Sequence, residues 1–133
     1  MAEKDNIVVV QQAYAAFGRG DIAGVLALVA ENVEWEAVKG VPNSVPFAGI
    51  KRGKAAVAEF FASVGREEEF SRFEPREFFA DGDRVVALGF YEARVRRTGK
   101  SFAGDWAMAF TVREGKIVRF AEYADSYGIA AAF

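Results

Sequence analysis

Residues 84–124 decide the fold of this chain, and they read RVVALGFYEARVRRTGKSFAGDWAMAFTVREGKIVRFAEYA. In three runs of this stretch, apolar side chains recur at about every second position, which is the period of a strand with one buried face. Two turns with a central glycine, Thr98-Gly99-Lys100 and Glu114-Gly115-Lys116, separate the runs. The stretch therefore predicts three consecutive antiparallel strands, over residues 84–95, 101–112 and 117–124.

A fourth strand is predicted immediately before this stretch, over residues 73–80. It contains Pro75, which cannot donate a ladder hydrogen bond and therefore favours an edge strand or a bend. The turn Asp81-Gly82-Asp83 joins it to the next strand as a hairpin. The charged residues 65–69 before it (GREEE) are interpreted as a solvated connector.

The first half of the chain carries apolar residues at helical spacing. The pattern predicts one helix that ends near Phe17, a short helix after Asp21 and a third over residues 54–64, with a short strand over residues 33–38. Because the helices lead and the strands follow, the sequence predicts an α+β fold. The length of 133 residues fits one domain spanning residues 1–133.

The composition excludes several classes of function. With neither His nor Cys, the chain has no Ser-His-Asp triad, no thiolate nucleophile and none of the usual zinc or iron ligand sets, so we expect no metal. No dinucleotide fingerprint is present, so we expect no cofactor. A net charge of −2 disfavours a nucleic-acid partner, and no long apolar run predicts a signal peptide or a membrane span. We expect a cytoplasmic protein.

The aromatic content is high, with 13 Phe residues, and large rings either fill a core or line a cavity. Ligand pockets are mostly apolar with a few polar anchors, so both interpretations remain open for each ring. The candidates for contact with a small apolar molecule are Tyr14, Phe17, Trp35, Phe60, Phe61, Trp106, Met108 and Phe120.

Short motifs lie in order along nearly the whole chain. They are residues 14–21 (YAAFGRGD), 30–35 (AENVEW), Gly49 and Gly53 before the helix 56–64, Thr98-Gly99-Lys100, Trp106, 113–118 (REGKIV) and 122–125 (EYAD). Their order and spacing resemble SnoaL-like and ketosteroid-isomerase-like proteins of the nuclear transport factor 2-like superfamily. The resemblance implies a cone-shaped, strongly curved antiparallel sheet wrapped around three N-terminal helices, and a homodimer. Family members include isomerases, polyketide cyclases, dehydratases, epoxide hydrolases and binding-only proteins, so the fold does not settle the function.

Carried over residue by residue, the resemblance places apolar side chains at the functional positions of ketosteroid isomerases. The catalytic Tyr position falls on Ala13, the general-base Asp on Ala37 and the protonated Asp near Met108, so that mechanism is not expected here. The motif Asp125-Ser126-Tyr127-Gly128 is similar to the end of SnoaL-type cyclases, but their partner His has no counterpart.

Two carboxyl groups are candidate catalytic residues. Strand alternation places Glu122 on the same inward face as Phe120, where burial would raise its pKa towards a range useful for acid/base work. The alternative is a structural ion pair with Arg119 or Arg76. Asp125 is either an acid/base group at the mouth of the cone or a residue that caps the end of the strand.

Three functions are compatible with the sequence. The first is cofactor-independent acid/base catalysis on a small apolar substrate, by an isomerase, cyclase, dehydratase or epoxide hydrolase. The second is binding or sensing of a hydrophobic metabolite, and the third is a purely structural dimer. For the dimer we expect an interface on the outer face of the sheet, formed by an apolar patch. Its predicted members are Tyr91, Ala93, Ala107 and Tyr123.

Overall fold

The computed structural model describes residues 2–133 and contains four helices and six strands in that range. The helices are α1 Ala2–Gly18, α2 Ile22–Leu26, α3 Lys54–Glu67 and α4 Ser126–Ala132. The strands are β1 Val29–Ala37, β2 Gly49–Arg52, β3 Glu68–Asp81, β4 Arg84–Val95, β5 Ser101–Arg113 and β6 Lys116–Tyr123. The α+β class is confirmed; β2 and α4 were not predicted.

The six strands form one curved, unclosed sheet in the order β2-β1-β6-β5-β4-β3. The hairpins predicted around the three glycine turns are all present, and β3 is the edge strand that Pro75 indicated. The antiparallel description needs one correction, because β1 pairs with β6 in parallel, with Trp35 opposite Phe120. This pairing returns the last strand to the first and gives the sheet the curvature of a cone.

The concave face of the sheet and the helices that cover it form the hydrophobic core. On β4 and β5, residues at every second position are buried, including Trp106, Met108 and Phe110 as predicted. Helix α1 lies against β3 to β6 and contributes Val10 and Ala13 to this core. Helix α3 packs on β1 and β3, with Val57 and Phe60 buried. The helices therefore occupy one face of the sheet only.

The predicted outer-face patch is wrong for two of its four residues. Tyr91 and Ala93 are 4% and 1% exposed and face the concave side. The register of the β4–β5 hairpin explains this, because residues paired across an antiparallel ladder share a face, and Gly89 pairs with the inward Trp106. Tyr91 follows Gly89 by two positions and therefore points the same way. Ala107 and Tyr123 do lie on the outer face, paired with each other.

The prediction of a solvated connector over residues 65–69 is also wrong. Helix α3 continues to Glu67, and β3 begins at once with Glu68, which pairs with Val95 and is 6% exposed. The charged run is therefore split between a helix end and a strand. Its middle carboxyl group is carried into the concave side of the sheet.

No helix within residues 2–133 is long and apolar enough to cross a membrane. In the same range, no group of three or more Asp and Glu side chains has an arrangement that could hold a metal ion.

Candidate functional site

A cavity of about 80 Å³ lies between the concave face of the sheet and the helices. Helices α1 and α3 form one wall and the inward residues of β1, β3, β4, β5 and β6 form the other. Phe47, from the segment between β1 and β2, and Ile129 of α4 also line it. The lining is almost entirely apolar, and Glu68 and Glu122 are its only carboxyl groups in the described chain.

Seven of the eight predicted contact residues line this cavity: Tyr14, Phe17, Trp35, Phe60, Phe61, Met108 and Phe120. Trp106 does not. Its indole stacks on Tyr14, with ring centroids 5.7 Å apart, and packs against Phe73 and Tyr91 behind the cavity wall. Within residues 2–133 the indole N–H groups of both Trp106 and Trp35 have no hydrogen-bond partner. Trp106 packs against the rings that do face the cavity.

The aromatic rings hold one another in fixed positions. Trp35 on β1 stacks on Phe120 of the neighbouring β6, with centroids 4.0 Å apart and planes 21° apart. On the opposite wall the Tyr14 hydroxyl donates a hydrogen bond of 3.0 Å to the sulfur of Met108. Offset stacking and edge contacts of this kind stabilise ring orientation beyond simple burial. The cavity is therefore largely pre-formed and has flat apolar walls.

Glu122 points into the cavity from β6, opposite Met108 on β5. The Tyr91 hydroxyl donates a hydrogen bond of 2.9 Å to Oε2 of Glu122. Burial raises the pKa of Glu122 to about 7, and the hydrogen bonds from Tyr91 and from the backbone N–H of Val38 limit the rise. Arg119 pairs with Glu34, and Arg76 with Glu74, so the predicted alternative of an ion pair to Glu122 is not formed.

The backbone beside Glu122 is strained. Val38 has a φ of 47°, in the left-handed region that β-branched residues rarely adopt. Val38 follows the end of β1, and its backbone N–H lowers the pKa of the Glu122 carboxyl group, while the N–H of Lys39 donates to the Glu122 carbonyl at 2.9 Å. Strained residues of this kind occur where the surrounding structure holds a functional group in place.

Glu68 is the site residue that the sequence analysis missed. It lines the cavity from the start of β3, and its Oε2 is buried without a hydrogen-bond partner. Burial, followed by the negative charges of Glu122 and Glu67, raises the pKa of Glu68 to about 8. The available sequence signal was parity, because Glu68 lies an even number of residues from Phe78, which pairs with the buried Ala87.

Asp125 lies outside the cavity. Its Oδ1 accepts a hydrogen bond of 3.0 Å from the backbone N–H of Gly128, which makes Asp125 the N-cap of α4. It borders a separate shallow depression together with Asp105 and Ser101. The capping interpretation is therefore correct in kind, although Asp125 begins a helix rather than ending a strand.

The arrangement brings together two buried carboxyl groups, with pKa values near neutrality, in an apolar cavity. Such groups can accept or donate a proton near pH 7, and their low-dielectric surroundings strengthen any hydrogen bond to a ligand.

The fold and this cavity define a class of cone-shaped α+β proteins with a site in the concave face of the sheet. Residues 10–120 match the family model described as the SnoaL-like domain. The chain belongs to the SnoaL-like family.

Solved structures agree with this assignment. An NTF2-like protein from Burkholderia xenovorans LB400 is 39% identical with a TM-score of 0.87, over 99% of this chain and 98% of its own. TerC, co-crystallised with polyporic acid, is 31% identical with a TM-score of 0.82, over 96% and 97% of the two chains. A proposed polyketide cyclase from Xanthomonas campestris pv. campestris is 25% identical with a TM-score of 0.80, over 99% and 98%.

Proposed function

We propose that this protein is a cofactor-independent acid/base enzyme that acts on a small, largely apolar molecule bound in the cavity, with Glu122 as the proton-transferring group. The observation that carries the proposal is a buried carboxyl group, held by Tyr91 at 2.9 Å, in the wall of an aromatic cavity. A general base works best when its pKa lies near the operating pH, and the pKa of Glu122 is about 7.

The cavity walls support a small aromatic substrate. Trp35 and Phe120 form a flat stacked surface, and no cationic side chain of residues 2–133 lines the cavity. An anionic ligand would therefore lack a counter-charge. The similarity to a proposed polyketide cyclase is compatible with an aromatic substrate, whereas the similar TerC was crystallised with an acid, polyporic acid.

The test is a comparison of two carboxamide variants, Glu122→Gln and Asp125→Asn, in a screen of aromatic polyketide-type and ketone substrates. Glu122→Gln keeps the shape of the side chain but removes the titratable proton, so it should abolish turnover while ligands still bind. Asp125→Asn should remain active, because Asn is as good a helix N-cap as Asp. If Glu122→Gln keeps full activity on a substrate that the native protein converts, the proposal is wrong.

The second candidate function is binding without turnover. The observation that favours it is the small number of polar groups in the cavity, which offers hydrophobic contact but few groups for chemistry. Tight binding of an aromatic ligand, with no conversion by the native protein across the screen, would select this function.

We also propose a homodimer formed through the outer face of the sheet. Phe79, Val86, Ala109 and Ala121 lie in one register row across β3, β4, β5 and β6. The next row contains Leu88, Ala107 and Tyr123. These rows form a surface of mostly small and apolar side chains, with Glu77 at the end of the second row, that a second copy would cover. The absence of cysteine is compatible with the reducing cytoplasm, where we expect the protein to act.

A further inference from the structure

Two cavity-lining side chains, Glu68 and Trp35, have a buried polar atom without a hydrogen-bond partner in the described residues, and Glu68 is the titratable one. It is 6% exposed, and its Oε2 has no hydrogen-bond partner within residues 2–133. Buried polar atoms in folded proteins are nearly always paired, so each exception calls for an explanation. Because Glu68 lines the cavity, a bound molecule is one partner that could reach this oxygen.

The charges around Glu68 determine whether its carboxyl group is protonated when a ligand binds. The titratable groups that face it are Glu122 and Tyr91 across the cavity and Glu67 beside it, while Asp125 and Tyr14 couple to the same cluster. None of these is a cation, and the nearby Arg97 pairs with Glu67. Since an apolar surrounding and negative neighbours both disfavour a carboxylate, Glu68 carries its proton at neutral pH.

Glu122 differs from Glu68 in its partners. It accepts hydrogen bonds from the Tyr91 hydroxyl and the Val38 N–H, and both stabilise its ionised form. When the pair releases one proton, Glu122 is therefore the group that becomes charged. Glu68 remains an O–H donor that has no acceptor among the described residues.

We propose that Glu68 is a second polar anchor of this cavity, a neutral carboxylic acid that donates a hydrogen bond to a carbonyl oxygen of an aromatic ketone. This inference rests on the proposed ligand cavity and names the chemical class of its occupant. A carbonyl oxygen only accepts hydrogen bonds and carries no charge, so it matches an O–H donor between apolar walls. An organic ammonium ion would instead require the two carboxyl groups to be ionised.

Three probes of similar size separate these possibilities: acetophenone, cumene, which lacks an acceptor, and 1-phenylethylamine, which is a cation. Dissociation constants are measured by titration calorimetry at pH 6.5 for the native protein, Glu68→Leu and Glu68→Gln. The quantity compared is the ratio of the acetophenone constant to the cumene constant, because it cancels general effects of each substitution on the cavity.

We expect Glu68→Leu to shift this ratio about fivefold against acetophenone, the effect of one neutral hydrogen bond. Glu68→Gln should keep most of the preference, because its amide N–H is also a donor. Raising the pH from 6.5 to 9 should reduce the preference in the native protein, as Glu68 loses its proton.

An unchanged ratio in Glu68→Leu, tighter binding of 1-phenylethylamine than of acetophenone at pH 6.5, or failure of acetophenone to bind would each overturn the inference. Thermal unfolding checks that both variants are folded. If Glu68→Leu is not, the change in the native ratio between pH 6.5 and 9 carries the test, and an unchanged ratio overturns the inference. Glu68-dependent binding of acetophenone without turnover of any substrate would reject the acid/base function and leave the carbonyl assignment standing.

Discussion

The Tyr91 hydroxyl donates a hydrogen bond of 2.9 Å to Oε2 of Glu122, and this contact links β4 to β6 across the intervening β5. The bond stabilises the ionised form of Glu122 against the effect of burial. Tyr91 is therefore the side chain that adjusts the acidity of the candidate base, and it does so from a position that the sequence analysis assigned to the outer face.

The first prediction concerns this bond. In Tyr91→Phe the stabilising donor is lost, so the pKa of Glu122 should rise by about one unit above that of the native protein. Carbon-13 NMR of labelled Glu carboxyl groups measures the shift directly, and the rising limb of any pH–rate profile should move the same way. Tyr123→Phe on the outer face is the control and should change neither. A Glu122 titration unaffected by Tyr91→Phe would contradict the assigned role.

The second prediction concerns stability against pH. The folded pKa values of Glu68 and Glu122, about 8 and about 7, exceed the unfolded value of 4.5, so the folded state binds more protons between these limits. Stability is therefore highest at or below about pH 4.5, as far as these two groups are concerned, and falls as the pH rises through 7 and 8. Each group contributes a slope of at most about 1.4 kcal/mol per pH unit.

Urea denaturation at several pH values measures this slope. Glu68→Gln should make the fall between pH 5 and 8 shallower, whereas Glu69→Gln, an exposed neighbour on the same strand, should leave it unchanged. Equal slopes in the native protein and Glu68→Gln would show that Glu68 is ionised at neutral pH.

The third prediction concerns the close approach of β4 to Trp106. A Cβ at Gly89 would overlap the Trp106 ring and the carbonyl oxygen of Glu74, and neither is a flexible chain end. Gly89→Ala should lower the free energy of unfolding by about 2–3 kcal/mol, as overpacking of a core does. Gly104→Ala on β5 is the matched control, because a Cβ there meets nothing within 4 Å. Equal stabilities of the two variants would disprove this account.

The fourth prediction separates the two tryptophans. Trp35 lines the cavity and Trp106 does not. An aromatic ligand should quench the fluorescence of the native protein and of Trp106→Phe, but the quench should be largely lost in Trp35→Phe. The opposite pattern would place the ligand outside the cavity described above.

The fifth prediction concerns assembly. Ala109 lies between Val86 and Ala121 in the outer row, so Ala109→Arg should place a charge in the dimer interface and yield a monomer in analytical ultracentrifugation. Ala15→Arg makes the same chemical change on the exposed surface of α1 and should remain a dimer. A native protein that sediments as a monomer at micromolar concentration would reject the interface.

The sequence was sufficient to predict the strands that are marked by alternating apolar residues and bounded by glycine turns. Three glycine turns fixed four strands, and alternation placed Glu122 inward, because it pairs with the inward Met108. The same counting would have placed Tyr91 inward if it had been continued across the β4–β5 hairpin.

Glu68 was missed because the predicted strand began only at residue 73. Two register shifts interrupt the β3–β4 ladder, between Phe70 and Arg72 and between Pro75 and Glu77, and each shift reverses the inward parity. The two reversals cancel, so Glu68 shares the inward parity of Phe78, which pairs with the buried Ala87. In addition, a run of three Glu residues resembles a solvated surface, and only tertiary packing carries one of them into the core.

The parallel pairing of β1 with β6 has a consequence for the order of folding. The hairpins from β3 to β6 join near neighbours in sequence, but Glu34 meets Arg119 only after most of the chain has been made. Contacts between such distant segments require a large loop to close and slow the search for the native state. During synthesis, the edge of β1 that pairs with β6 therefore remains unpaired until the last strand emerges, and an open strand edge is a site where chains aggregate.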